Sequence, residues 1–309
     1  MLSILTEPSF PKAAIGIEQK AVTALALQRE GKGRYGIERA ATVEVPVNLI
    51  TPGFVERNIA SAAEFRVILE DAVATAGLIK RRNWSVTLPS NTARSAILVL
   101  DSDTSGAKLD EVLDWKAEQS FGVPAGEMRI TRQKIADSSE GRPRWFATAI
   151  KLSVIDEYET VFEGLGWKAG LILPKAVGET RWLMGEKDAP DSMLISEQND
   201  GFTAMLIRNN EPAVVRSVTC SPGEIDDEIY RLLMFYHDRF AADSTSVLEK
   251  LLVIGKSFVP ARIREISADA LGHALDTMRP EDIGLNLPAG AFTLDDVAAP
   301  AGLASYGYR

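Results

Sequence analysis

Apolar and polar positions alternate near the start of the chain in a way that predicts strands. Ala14-Ile15-Gly16-Ile17 and Ala21-Val22-Thr23-Ala24-Leu25-Ala26-Leu27 are apolar runs separated by the polar break Glu18-Gln19-Lys20, the signature of a β-hairpin with buried strands. A third strand is predicted from Tyr35 to Val45. The same pattern returns in the second half, in Met193 to Arg208 around a break at Gln198-Asn199-Asp200-Gly201. A turn at Asn209-Asn210-Glu211-Pro212 and a strand at Ala213 to Val218 follow. Each triplet of strands precedes a predicted helix, Ala60 to Ala76 in one half and Glu224 to Phe240 in the other.

Between the copies the pattern predicts strands Trp84 to Leu88 and Ala96 to Leu100, then a helix from Lys108 to Phe121. Strands Met128 to Ile135 and Arg144 to Ala149 come next, then a helix from Ser153 to Leu165 and a strand from Trp167 to Leu173. Leu109, Val112, Leu113, Lys116 and Phe121 fall near helical spacing, giving the first of these helices an amphipathic face. Ser153, with Asp156 three residues on, is the expected N-cap of the second. The block from 84 to about 174 reads as an inserted subdomain. The expected division is a first domain over 1–185 that contains it, a second over 186–290, and a C-terminal helix and tail over 291–309.

The chain has 309 residues, 46% hydrophobic and 25% charged, which suits a soluble globular protein of two domains with sizeable cores. No run of roughly 18 apolar residues occurs, and Met1 to Pro8 lacks both a basic region and a long apolar core, so neither a membrane span nor an export signal is expected. A single cysteine, Cys220, cannot form an internal disulfide, which makes the cytoplasm the default compartment. A net charge of −9 disfavours broad attraction to nucleic acid or anionic lipid. Lys80-Arg81-Arg82 is the strongest local basic run and reads as a solvated turn before a strand.

Several motifs have a plain structural explanation. Asp101-Ser102-Asp103-Thr104-Ser105-Gly106 begins like a calcium loop, but Val112 stands where a bidentate Glu is needed. His237 and His273 are far apart and have no cysteine pair nearby, which gives no support to a zinc site or a histidine-based triad. Asp226, Asp227 and Glu228 open a predicted helix, where carboxylates favour the helix dipole. Leu232 to Tyr236 reads as core.

Duplicated β-β-β-α units build the actin-like (ribonuclease H-like) α/β fold of actin and sugar kinases, with nucleotide held between the halves. A narrower resemblance rests on Trp115-Lys116-Ala117-Glu118-Gln119 with Phe121 and Pro124, then Ala147 to Lys151, Val154 to Tyr158 and Leu165-Gly166-Trp167-Lys168. It continues through the turn after Arg208, the helix from Ile225 to Tyr236 and a terminal helix at Ala298 to Leu303. In this order the segments resemble the PilM family of type IV pilus assembly proteins and, more distantly, FtsA and the cytoplasmic part of GspL.

ATP-binding members of this fold carry an Asp and a Gly in the first hairpin, because turn N–H groups cradle phosphate while the carboxylate helps hold hydrated Mg²⁺. Here Glu18 replaces the aspartate, no glycine follows it, and Lys20 is the residue left to contact phosphate. In the second hairpin Ser196 and Gln198 take the acid and glycine positions, with Glu197 and Thr203 nearby. The adenosine loop, usually two glycines, keeps only Gly255 before Lys256. If nucleotide binding is retained, Glu18, Lys20, Glu197, Thr203 and Gly255 are the residues expected to carry it. Loss at three places points instead to a pseudo-ATPase with no catalytic residues, no metal and no cofactor.

The resemblance therefore implies a scaffold at the cytoplasmic side of the inner membrane, part of a type IV pilus or type II secretion platform. It would bind the tail of a membrane-anchored PilN-like partner in a groove between the first subdomain and the inserted one, bind no nucleic acid, and self-associate through actin-like contacts. The competing reading is an ATP-dependent switch or phosphotransferase that uses Glu18 or Glu197 with Mg²⁺.

Overall fold

Strand β1 (Ala13–Ile17) runs antiparallel to β2 (Ala21–Gly31), with Ile17 opposite Val22, and β2 pairs in turn with β3 (Arg34–Glu44). The computed structural model describes residues 10–101, 108–185, 189–241 and 247–308. Helix α1 (Ala62–Thr75) follows, its first turn held by the Ser61 hydroxyl, which accepts the Glu64 N–H at 3.3 Å. Phe65, Leu69, Ala72 and Val73 bury its apolar stripe against the sheet.

The chain then forms β4 (Asn83–Leu88), β5 (Arg94–Val99), α2 (Leu109–Phe121), β6 (Met128–Ile135), β7 (Arg144–Lys151), α3 (Leu152–Gly164), β8 (Lys168–Pro174) and α4 (Lys175–Thr180). The second half repeats the plan with β9 (Asp191–Gln198), β10 (Gly201–Arg208), β11 (Glu211–Thr219), α5 (Ile225–Tyr236), β12 (Leu248–Ile254) and α6 (Pro260–Leu271). It closes with β13 (Leu285–Asn286) and α7 (Leu294–Ser305).

These strands make three sheets. The first is six-stranded in the order β13-β3-β2-β1-β4-β8, the second four-stranded as β11-β10-β9-β12, and the third three-stranded as β5-β7-β6. In each lobe an antiparallel triplet is extended by a parallel strand, β4 beside β1 and β12 beside β9. The first lobe adds β8, parallel to β4 over its whole length. In the second lobe the matching position holds a single bridge, Thr277 beside Leu251, with the Met278 N–H donating to the Leu251 carbonyl at 2.8 Å. The chain then crosses to the first sheet, where Leu285 pairs with Tyr35.

The separate third sheet spans a narrower stretch than the expected 84–174. β4 and β8 are hydrogen-bonded into the first sheet, and α3 packs on the first core through Val154, Ile155, Tyr158, Val161 and Phe162. Only β5 to β7 with α2 form the insertion, around Leu98, Leu113, Ala117, Phe121 and Ala147. Phe54, from the loop between β3 and α1, joins that insertion core.

Ser153 is not the cap of α3: the helix starts at Leu152, so Ser153 lies inside the first turn, and Lys151 at the cap makes no side-chain bond. The predicted helix through Phe240 ends as an α-helix at Tyr236 and widens into a π-turn over His237–Ala241. Asp226 opens α5 and pairs with Arg262 at 2.8 Å, and Leu232, Leu233 and Tyr236 are core. His273 bonds the Leu271 carbonyl at 3.2 Å. The calcium-like motif falls largely on 102–107, outside the described residues.

The lobes share a core. Helices α4 and α7 cross between them, and Ala176, Leu183, Val297, Ala298 and Ala301 join Leu25 and Leu27 of one sheet to Leu194 and Leu252 of the other. Among the described residues no helix is long and apolar enough to cross a membrane.

Candidate functional site

The parallel arrangement places the ends of β1 and β8 on the same side of the first sheet, facing the β9–β10 turn and the loop after β12. A cleft of about 320 Å³ opens there, lined by Glu18, Gln19, Lys20, Lys175, Glu197, Gln198, Gly255, Lys256, Asp295 and Asp296. Sequence reasoning thus identified Glu18, Lys20, Glu197 and Gly255 as neighbours. Thr203 is not in the lining; its hydroxyl donates to Gln198 Oε1 at 3.0 Å, one layer behind the surface.

Charges in this cleft are paired internally. Lys175, the first residue of α4, is buried, with Nζ 3.0 Å from Glu18 Oε1. Burial alone would lower its pKa, but the carboxylates of Glu18, Glu179 and Glu197 outweigh that and push it up to about 12. One turn along α4, Glu179 is completely buried. Burial pushes its carboxyl up to about 7, against the opposing pull of the Lys175 charge and the Ser196 hydroxyl.

The opposite wall is tied down in the same way. Lys256 Nζ lies 2.9 Å from Asp296 Oδ1, and the Gly255 N–H donates to Asp295 Oδ1 at 2.6 Å. Asp296 also closes the N-terminus of α7, accepting from the Thr293 hydroxyl at 2.7 Å and its N–H at 3.0 Å. Burial would raise the Asp296 carboxyl, yet these bonds and Lys256 hold it below its ordinary value. Asp295, with less help, is held above its own. Glu197 packs directly on the bare backbone of Gly255: a Cβ there would meet the Glu197 side chain inside van der Waals distance.

Lys175, Glu179, Lys256, Asp295 and Asp296 were not picked out from the sequence as site residues. The signal available was a Lys and a Glu four apart, one helical turn, in the otherwise small and apolar Lys175-Ala176-Val177-Gly178-Glu179 after a strand.

A second concavity lies between the first sheet and the insertion, where the resemblance expects a groove. It encloses about 250 Å³ between β8 on one side and β6 and β7 on the other, with Leu171, Leu173, Ala149 and Ile150 among its apolar walls. β8 is the edge of its sheet, so its outer backbone groups have no strand partner. Arg129 of β6 and Glu159 of α3 pair at the groove, Nη2 to Oε2 at 2.8 Å.

No family model and no curated protein matches the sequence. Among solved structures, a chain of a "PilM-PilN type IV pilus biogenesis complex" superposes with a TM-score of 0.77 at 15% identity, covering 98% of this chain and 100% of that one. The ethanolamine utilization protein EutJ from Carboxydothermus hydrogenoformans gives 0.48 at 9% identity, covering 97% and 92%. A Bacteroides thetaiotaomicron protein with an actin-like ATPase fold gives 0.48 at 10%, covering 96% and 98%. The chain has the actin-like fold, in the form seen in the chain from the PilM-PilN complex.

Proposed function

We propose that this protein is an actin-fold scaffold of a type IV pilus or type II secretion assembly platform. It works in the cytoplasm at the inner membrane, where it holds the extended tail of a membrane-anchored, PilN-like partner and does not hydrolyse ATP. The observation that carries this reading is the end-to-end correspondence with a chain from a PilM-PilN complex. The groove beside β8 supports it, because an extended tail can add to an open strand edge through backbone bonds while side-chain pockets select its sequence.

The cleft residues do not fit a Mg²⁺-bound triphosphate. Glu18 is engaged by Lys175, and Glu197 occupies the space over Gly255 that a nucleoside would need. Lys175 and Lys256 are engaged by internal partners, which leaves Lys20 as the one lysine of the lining without an ion pair among the described residues, set against the carboxylates of Glu197 and Asp295.

Two titrations test the proposal. A peptide of the N-terminal tail of a PilN-like protein should bind the wild type, and Leu171→Asp should lose that binding. Leu171 lines the groove and belongs to none of the apolar cores. Equal binding by both forms overturns the groove assignment. Mg²⁺-ATP should leave the unfolding temperature unchanged, because only a ligand of the native state raises it. A clear rise that Glu18→Ala removes would favour a nucleotide-dependent switch or phosphotransferase instead.

A further inference from the structure

We propose that the end of the first lobe opposite the cleft is a contact face for an anionic lipid bilayer. β1, β4 and β8 run parallel, with Ala14 beside Ser85 and Asn83 beside Lys168, so their starting ends share one side of the sheet. That side carries Lys12, Arg39, Lys80, Arg81, Arg82 and Lys168, all exposed. Direct contacts hold the group together. Arg39 Nη1 donates to the Gly77 carbonyl at 3.5 Å, the Lys168 N–H to the Arg82 carbonyl at 2.7 Å, and Lys12 Nζ stands 4.5 Å from the centre of the Tyr308 ring.

The β2–β3 hairpin projects from the same end and adds exposed Arg29, Lys32 and Arg34. None of these basic side chains forms an ion pair among the described residues, in contrast to Lys175, Lys256, Arg262 and Arg264 elsewhere. The acids at this end include Glu30, Glu38, Asp71 and Glu163, with Glu281 and Asp282 in the turn that leads to β13 beside the hairpin, Asp282 being paired with Arg279 at 3.5 Å. The chain as a whole carries −9, so cations are segregated onto one face of an acidic protein. A remote negative charge does not cancel such a face, because screening at physiological salt acts over about 8 Å.

A bilayer suits this face better than a nucleic acid does. Ile79, 59% exposed, stands next to Lys80-Arg81-Arg82, the pairing of an apolar side chain with cations that anchors proteins at headgroup level. Among the described residues the large exposed aromatics, Trp115 and Tyr230, lie on α2 and α5, and Tyr308 at this face is half-buried beneath Lys12 with its hydroxyl donating to the Leu27 carbonyl. Lys168 leads directly into Ala169 and Gly170, which line the groove beside β8, so a bilayer on this face stands at one end of that groove. The inference stands on charge and exposure, and holds whether or not the groove takes a tail.

Vesicle co-sedimentation of the full chain tests it. At low salt the protein should pellet with phosphatidylglycerol-containing vesicles, remain in solution with pure phosphatidylcholine vesicles, and be released from the former by high salt. Changing Lys80, Arg81 and Arg82 together to Ala should weaken the partition by on the order of a hundredfold, with thermal unfolding little changed, because the three side chains are exposed and the bonds lost are those of Arg82 Nη1 to the Ile79 and Arg81 carbonyls at the surface, at 2.6 and 2.9 Å. Changing Lys108, Lys134 and Arg142 of the insertion to Ala, an equal loss of charge, should leave binding as it was. The proposal is overturned by no binding to the anionic vesicles, by binding that the first triple variant retains, or by an equal loss in both triple variants. Salt-sensitive binding to a duplex oligonucleotide without binding to vesicles would assign the face to nucleic acid.

Discussion

Gly302 on α7 lies directly against the carbonyl oxygen of Gly178 on α4, so close that a Cβ at Gly302 would overlap it. The reverse contact is also close, though less so, with a Cβ at Gly178 falling 2.8 Å from Leu303 Cδ1 and 3.0 Å from the Ala299 carbonyl. Two glycines therefore let the helices cross at backbone distance in the core common to both lobes. Gly302→Ala must push the helices apart, and the cost, about 1–3 kcal/mol, exceeds the gain in helix propensity. Denaturant unfolding should show this loss, whereas Gly126→Ala, where nothing lies within 4 Å of the new methyl group, should stay within about 1 kcal/mol of the wild type.

Glu179 makes stability depend on pH. Its folded carboxyl titrates near 7, above the ordinary 4.5, so the folded chain keeps a proton that the unfolded chain releases. Stability then falls as pH rises from about 4.5 to about 7, and the deficit is constant above that. Glu179→Gln should flatten this part of the profile and make the variant more stable than the wild type above pH 7, by on the order of 3 kcal/mol. Thermal unfolding across pH checks it, and an unchanged slope would show that Glu179 titrates normally.

Lys175→Met should have the opposite effect at neutral pH. It strips Glu18 of its partner and removes the charge that most opposes the burial of Glu179. Glu18 is 44% exposed and stays solvated, so the loss, about 1–3 kcal/mol, comes mainly from the unopposed burial of Glu179. The loss should shrink at low pH, where Glu179 is protonated, and should be partly recovered in the double variant with Glu179→Gln. Additive losses would mean that the two side chains are not coupled.

Phe54 staples the insertion to the first lobe. Its loop is fixed at the base by Glu157, whose Oε2 accepts the N–H groups of Asn58 and Ile59 at 3.1 and 2.9 Å, while its ring fills the insertion core beneath the Arg94 guanidinium, 4.3 Å away. Phe54→Ala should cost about 3 kcal/mol. Hydrogen exchange should accelerate over residues 94–151 and stay unchanged in the second lobe; a uniform increase would show that the insertion does not open by itself.

The repeated strand triplets were legible because the first two strands of each are buried on both faces over most of their length, with polar breaks between them at Glu18-Gln19-Lys20 and Asn199-Asp200. The bounds of the insertion were not legible. β4 and β8 are apolar runs like those of β5 and β7, and which sheet a strand joins is decided by partners far away in sequence. The cleft was half legible: Glu18, Lys20 and Gly255 sit on turns, and Glu197 at the end of β9, in an order that the repeat dictates. Lys175 and Glu179 lie on a helix of only six residues, too short to show a period, and their meaning comes from complete burial against Ser196 and Glu18. Lys80-Arg81-Arg82 read as an ordinary solvated turn, because only the parallel strand ends bring Lys12, Arg39 and Lys168 beside it.

The path of the chain after α6 has a consequence for how the protein is made. The first sheet gains its outer strand β13 only when Leu285 reaches Tyr35, and α7, which packs against β1, β2 and β4, comes later still. During synthesis the N-terminal lobe must wait, with the outer edge of β3 and the apolar side of its sheet uncovered, until α7, ending at Ser305, has left the ribosome. Order of emergence therefore does not become order of completion, and a nascent chain stopped before residue 285 exposes a surface suited to chaperone capture or aggregation.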